Sequence, residues 1–271
     1  MSNRKTALEV ATATHPGMVR SHNEDSIAAD AEIGLAVLAD GMGGYNAGEV
    51  ASGIAVELIK TEMRKSLTGK RPGDLNGQGA EQLITRHSAS ANAAIYHASQ
   101  SQPQYSGMGT TLVVALWHED KISVGHIGDS RLYRLRDGKL EQVRRDHSLL
   151  QEQIDSGMIT REQARHSQNK NLVTRAVGID PEVETEVHTY PVQAGDIYVL
   201  CSDGLNDMVT DEDIELTLSS LQANLPLAAQ QLVQQANDNG GRDNVSVILV
   251  RVRKNSSART GLLDKLKAWF R

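Results

Sequence analysis

The feature that most constrains this chain is a set of apolar, strand-like runs that each meet an aspartate at one end. Asp40 closes IGLAVLAD, Asp129 closes ISVGHIGD, Asp203 closes DIYVLCSD, and Asp243 opens the run NVSVILV. Strand ends are rigid, so carboxylates placed there can converge on one point. Converged carboxylates repel one another and lose hydration unless a cation sits between them. All these candidate ligands are oxygen donors, with no histidine or thiol among them, which favours Mg²⁺ or Mn²⁺ over zinc. Taken singly, an Asp-Gly or Asp-Ser pair is an ordinary turn former. Recurrence in four comparable settings is what supports a metal site.

The rest of the chain organises around these runs. Residues 8–14 alternate loosely and end at His15-Pro16-Gly17, the pattern of an edge strand and a turn. After the glycines that follow Asp40, Ala47, Val50, Ala51, Ile54, Ala55, Leu58, Ile59 and Met63 recur at helical spacing. Residues 67–79 read as an exposed loop, and a second long helix carries Leu83, Ile84, His87, Ala91, Ala94, Ile95 and Ala98 on one face. Three β segments follow, 110–117, 121–127 and 131–136, with connections short enough for an antiparallel meander. Residues 146–180 are polar and helix-rich, an excursion or flap beside the sheet. Strands at 184–190 and 196–202, helices at 205–220 and 226–238 with Pro226 at a helix start, and a last strand at 244–253 complete the pattern. Strands in runs and helices in pairs favour antiparallel sheets covered by helices over an alternating parallel fold. An α+β sandwich is expected.

Composition narrows the setting. A chain of 271 residues can bury one large core. Its 28 basic and 34 acidic side chains give a net charge of −6 with no long basic run, which argues against a nucleic-acid partner. Cys201 is the single cysteine, so no intramolecular disulfide forms, and no Cys/His cluster has zinc-site spacing. The N-terminal residues lack a signal-peptide core, and no run approaches the ~18 apolar residues of a membrane span. A cytoplasmic location is expected.

Two look-alike motifs fail on chemistry. A strand, a G-x-G and a helix around Asp40 suggest a dinucleotide loop, but Asp40 would face the pyrophosphate, and the third glycine position is Asn46. An EF-hand needs glycine at its sixth position, where counting from Asp40 gives Tyr45. Gly41, Gly43 and Gly44 instead allow a sharp turn that brings a carbonyl near a metal held by Asp40. Arg20 stands just before Glu24 and Asp25 in RSHNEDS, which reads either as a turn with a local salt bridge or as an anion clamp beside carboxylates that hold metal-bound water. The second reading describes a phosphate-ester site.

Taken in order, RSHNEDS, LADGMGG, SGMGTTLVV, VGHIGDSRLYRL, DHSL, NLVTRAVG, LCSDGLNDMV and GRDNVSVILV resemble the metal-dependent protein phosphatases, the type 2C serine/threonine phosphatases, in a bacterial form. The resemblance runs from about residue 8 to about residue 253 and implies a single phosphatase domain over 1–254. It implies a four-layer αββα sandwich of two antiparallel sheets with a dinuclear metal centre at one end between them. By motif match, Asp40 bridges two ions, Gly41 offers a carbonyl, Asp203 and Asp243 complete a ligand shell, and Glu24 acts through water. Asp129, with Asp203, matches a third-metal position, so two to three Mn²⁺ or Mg²⁺ ions are implied. Arg20 matches the substrate-phosphate arginine, and Asp25 and Asn244 are supporting residues. The implied reaction is hydrolysis of phosphoserine and phosphothreonine in proteins by a metal-bridging hydroxide, with Asp40, Asp203, Asp243 and Arg20 as the catalytic set, opposing a bacterial Ser/Thr kinase.

One departure stands out. Met42 occupies the place of a histidine that many eukaryotic members carry as a proposed general acid, and a thioether has no proton to give. His147 and His22 lie near motifs, and Ser148, Thr174 and Arg175 fall in motifs of the flap. Two alternatives stay open: a catalytically weak phosphoprotein-binding module on the same fold, and a hydrolase of small phosphate esters. A monomer is expected. Beyond residue 254, KNSSART reads as a linker, and GLLDKLKAWFR places Leu262, Leu263, Leu266, Trp269 and Phe270 on one helical side. That tail, residues 255–271, offers the chain's one means of membrane contact.

Overall fold

Apolar strands without polar alternation need cover on both faces. The computed structural model, which describes residues 7–44, 46–69, 75–160, 163–164, 167 and 172–253, supplies it with two sheets stacked between helical layers. One sheet runs β1 (Ala7–His15), β11 (Val245–Arg253), β10 (Ile197–Cys201), β7 (Arg131–Arg136) and β8 (Lys139–Gln142) in spatial order. The other runs β2 (Asp25–Asp30), β3 (Leu35–Met42), β5 (Leu112–His118), β6 (Lys121–Ile127) and β9 (Glu186–Pro191), with β4 (Gly109–Thr110) paired to β3. Every strand pairing is antiparallel.

The strand β3 shows why the sequence reads as a continuous apolar run. Leu35, Val37 and Ala39 face α1 (Ala47–Leu67) and α2 (Gly77–Ser101), while Ala36 and Leu38 face the opposite sheet. Between the sheets, Trp117 and Tyr198 meet edge to face at 5.5 Å, in an aliphatic layer with Val113, Val124, Leu200 and Ile248. The outer face of the β1 sheet is covered by α5 (Asp211–Leu221) and α6 (Leu225–Asp238) through Ile214, Leu218, Leu232 and Ala236. Asn76 caps α2 by accepting from the Gly79 amide at 2.7 Å, and Pro226 sits in the first turn of α6. These are the layers of an αββα sandwich.

Four details differ from the sequence reading. The segments 121–127 and 131–136 are not neighbours in a meander: β5 and β6 pair, but the chain then crosses to the other sheet, where β7 pairs with β10 and β8. Gly128 makes the crossing at φ +100, and the free edge of β6 is taken by β9. A short loop therefore marked a change of sheet and not a hairpin. Asp25 opens a strand, β2, which the sequence reading did not assign. The helix read over 205–220 is two, a short α4 (Asp203–Asn206) and α5, the latter capped by Thr210. Among the described residues of the flap, the helix α3 (Leu149–Asp155) is short, seven residues in a segment read as helix-rich. The expected tail at 255–271 also lies outside the described residues. Among the described residues, no helix is long and apolar enough to cross a membrane.

Candidate active site

The ends of β3, β6, β10 and β11 meet at one end of the sandwich. Asp40 lies in β3, directly across from Asp25 of β2. Its backbone is gripped by the two threonines that precede β5: the Asp40 amide donates to Thr111 Oγ1 at 2.9 Å, and the Asp40 carbonyl accepts from Thr110 Oγ1 at 2.8 Å and the Thr111 amide at 2.9 Å. Thr111 Oγ1 also contacts Ser130 Oγ at 2.7 Å, linking the Asp40 and Asp129 turns. Asp25 Oδ2 accepts from Ser202 Oγ at 2.7 Å, while Asp25 Oδ1 is buried with no hydrogen-bond partner among the described residues. Ser202 stands just before Asp203, which lies in the first turn of α4 and not at the strand terminus itself.

The other wall is the loop from Pro16 to Glu24, pinned by Asn244. Its Oδ1 accepts from the Glu24 amide at 2.8 Å, and its Nδ2 donates to the Pro16 and His22 carbonyls at 3.0 and 2.8 Å. Every polar atom of this amide is used to hold the loop against the start of β11. Arg20, on that loop, donates through Nη2 to Asp243 Oδ2 at 2.7 Å. Its partner is thus 223 residues away, and the local salt bridge within RSHNEDS is not formed. Gly41 sits where no side chain fits: a Cβ there would lie 2.1 Å from the Gly48 carbonyl oxygen and 2.6 Å from that of Glu24. Gly48, in the first turn of α1, is hemmed in equally by Gly41 and the Glu24 carboxyl. The two glycines let α1, β3 and the Glu24 loop close on one another.

Electrostatics shows how tightly the carboxylates converge. Burial first, then the charges of Asp25, Asp203, Asp129 and Asp243, raise the Asp40 carboxyl well above its usual range. Burial first, then Asp129, Asp207, Asp243 and Asp25, does the same to Asp203. Asp25 is pushed up to about 6 by burial and the charge of Asp243, and Asp129 to about 6 by burial and the charge of Asp146. Glu24 is raised by burial, against the pull of Arg20. Asp25, Asp40 and Asp203 nevertheless keep part of their surface open to solvent. They lie deep in protein, yet reachable.

Such a cluster calls for positive charge. Among the described residues, no three His, Cys, Asp or Glu side chains stand close enough to grip one ion as they are placed. The donor set nonetheless suits a hard cation: oxygen atoms only, mutually repelling, with the buried Asp25 Oδ1 lacking a hydrogen-bond donor. Arg20 at the rim adds a fork of donors for an anion.

Every residue singled out from the sequence for this site lies in this region: Arg20, Glu24, Asp25, Asp40, Gly41, Asp129, Asp203, Asp243 and Asn244. His22 is exposed on the loop beside Glu24, and His147 is packed against the Asp129 turn. Thr174 donates its amide to the His147 carbonyl at 2.9 Å, and Arg175 Nη1 reaches Glu186 Oε1 at 3.3 Å. Ser148 caps α3. Thr110, Thr111 and Ser202 escaped sequence reasoning. A hydroxyl beside a strand end carries no one-dimensional mark of the carboxylate or amide it meets.

Comparison with known proteins bears on this site. Residues 18–241 match the profile of the family described as Protein phosphatase 2C. The serine/threonine phosphatase Stp of Listeria monocytogenes is 35% identical over 240 residues, spanning 88% of this chain and 93% of that one. The serine/threonine protein phosphatase PstP of Mycobacterium tuberculosis is 38% identical over 256 residues, 93% of this chain but 46% of the longer relative. A crystal structure of the PstP catalytic domain in complex with 2 manganese ions superposes with a TM-score of 0.80 at 37% identity, covering 91% of this chain and 99% of that one.

Proposed function

Because the chain belongs to the protein phosphatase 2C family, we propose that it hydrolyses phosphoserine and phosphothreonine esters of proteins, with the converged aspartates as its metal-holding centre. The observation that carries this reading is the raising of Asp40 and Asp203 by burial and by the charges of Asp25, Asp129 and Asp243, with Arg20 bonded to Asp243 beside them. Asp40, Asp203 and Asp243, with the Gly41 carbonyl and Glu24 through water, would hold two divalent ions, and Asp129 with Asp203 would hold a third. Likeness to the PstP catalytic domain solved with 2 manganese ions supports divalent ions at this centre and favours Mn²⁺, with Mg²⁺ as the alternative, while the third ion rests on the motif match alone. Bound there, the ions supply a water of lowered pKa and neutralise phosphoryl oxygen charge.

The protein's own residues do the rest. Thr110, Thr111 and Asn244 fix the backbones that present Asp40 and Asp243, so little reorganisation is needed when charge develops in the transition state. Asp25 and Ser202 form a hydrogen-bonded pair behind that layer. Arg20 can pivot from Asp243 to a phosphoryl oxygen because half of its side chain is exposed. Met42 has no proton to donate, so the leaving oxygen takes its proton from elsewhere.

Retention of all four aspartates argues against a catalytically weak binding module. The substrates would be set by a partner Ser/Thr kinase, and a cytoplasmic setting belongs to the same proposal. The test is phosphate release from phosphothreonine and phosphoserine peptides, compared with a small aryl phosphate, with Mn²⁺ or with chelator. Turnover of the peptides that chelator abolishes is expected. Turnover confined to the small ester would turn the reading toward a small-molecule phosphatase.

A further inference from the structure

Asp129 sits on the three-residue crossing between sheets, and two histidines grip that crossing from both sides. His147 donates its amide to the Gly128 carbonyl at 2.8 Å, and its ring Nδ1 accepts from the Gly128 amide at 3.2 Å. His126, at the end of β6, bonds through Nε2 to the Ser130 carbonyl at 2.9 Å. The two rings lie 4.8 Å apart at 45°. We propose that His126 and His147 act as a pair of positioning residues that aim Asp129 into the site.

The hydrogen bonds fix both tautomers. With Nδ1 accepting from Gly128, the proton of neutral His147 is on Nε2, which lies 3.2 Å from Glu186 Oε1, off the line of an ideal hydrogen bond. His126 must carry its proton on Nε2 to donate to a carbonyl. Burial favours the neutral ring in both. Glu186 stands directly across β6 from His126 and also receives Arg144 and Arg175, so the support behind His147 is anchored to the sheet. Arg131 and Asp146, which flank the two grips, form a fork of bonds at 2.7–3.0 Å. The crossing needs this bracing because Gly128 holds φ +100, where an added Cβ would lie 2.7 Å from Thr111 Cγ2. The segment that grips Gly128 also continues into the flap, where the Leu149 amide donates to the Leu172 carbonyl and the Thr174 amide to the His147 carbonyl.

This inference rests on the phosphatase reading, which wild-type turnover tests separately. The experiment is a double-mutant cycle between His147 and Asp129, with amide exchange at Gly128 as the second readout. His147→Ala should lower kcat on a phosphothreonine peptide about tenfold, with a smaller change in KM. His147→Asn, whose Oδ1 can take the place of Nδ1, should restore most of it. In an Asp129→Ala background, His147→Ala should cost nothing further, because its effect passes through Asp129. Exchange of the Gly128 amide should quicken in His147→Ala and recover in His147→Asn, whether or not turnover is measured. His126→Ala should likewise lower kcat and be silent in the Asp129→Ala background. Equal losses with and without Asp129, unchanged exchange at Gly128, or failure of asparagine to rescue would each overturn the proposal. A fall in thermal stability shared equally by both His147 variants would do so too.

Discussion

Asp40 and Asp203 occupy the positions where loss of a single charge should matter most. Asp40→Asn and Asp203→Asn should each lower kcat by at least about a hundredfold while leaving the circular dichroism spectrum unchanged, because each removes charge from the proposed metal centre. Arg20→Ala should raise KM at least as much as it lowers kcat, if the guanidinium binds ground-state phosphate as well as the transition state. An unchanged kcat/KM would leave Arg20 as a tether for Asp243 only. The raised carboxyls also set a pH dependence. Asp25 and Asp129, at about 6 in the fold, stand above the ordinary aspartate range near 3.9 of an unfolded chain. The folded state therefore binds more protons between those values, so stability conferred at low pH is lost as pH rises through about 6. In chelator, the melting temperature should fall over that window, and Mn²⁺ should reverse the fall at neutral pH. A flat profile would contradict the crowding of these carboxyls. The four aspartates were legible in the sequence because each adjoins an apolar run, and Arg20 because it stands just before Glu24 and Asp25 in RSHNEDS. Ser202 and Thr111 were not, since their partners, Asp25 and Asp40, lie far along the chain.

At the scale of elements, the approach of α1 to β3 and the Glu24 loop depends on two glycines with no room for a methyl group. Gly48→Ala would place a Cβ 2.8 Å from the Gly41 carbonyl carbon and 2.9 Å from the Glu24 carboxyl. It should destabilise the protein by about 1–3 kcal/mol, as overpacking does, and lower kcat by shifting the Asp40 turn. Thermal denaturation and peptide kinetics on the same variant would check both effects, and unaltered values would show that α1 can yield. The helices α1 and α2 and most strands were readable from periodicity. The strand β2 was not, because Ser26, Ala28 and Ala29 give a weak β signal and its order comes from pairing with β3. The crossing at Gly128–Ser130 was misread because loop length constrains distance but not which sheet receives the next strand. The break between α4 and α5 was hidden because Leu205, Val209 and Ile214 are apolar throughout, and all three pack into the same core.

For the whole molecule, the proposed division is a phosphatase domain to residue 254 and a short amphipathic tail after it. Removal of 255–271 should leave turnover of small phosphate esters unchanged, since every proposed site residue lies upstream. If the apolar side of the tail meets anionic lipid, with Lys265, Lys267 and Arg271 assisting, only the full chain should sediment with phosphatidylserine vesicles. Equal partitioning of both forms would rule out the membrane role. The sandwich as a whole brings strand ends from both sheets to one place, and the central claim is that those ends hold the ions that catalysis needs. The most direct measurement is calorimetric titration of Mn²⁺ into the wild type and Asp203→Asn, with phosphopeptide turnover followed on the same samples. The account predicts that turnover rises with metal occupancy in the wild type and that Asp203→Asn loses both tight Mn²⁺ binding and turnover. Full turnover by metal-depleted wild type, or tight binding and full activity in Asp203→Asn, would contradict it.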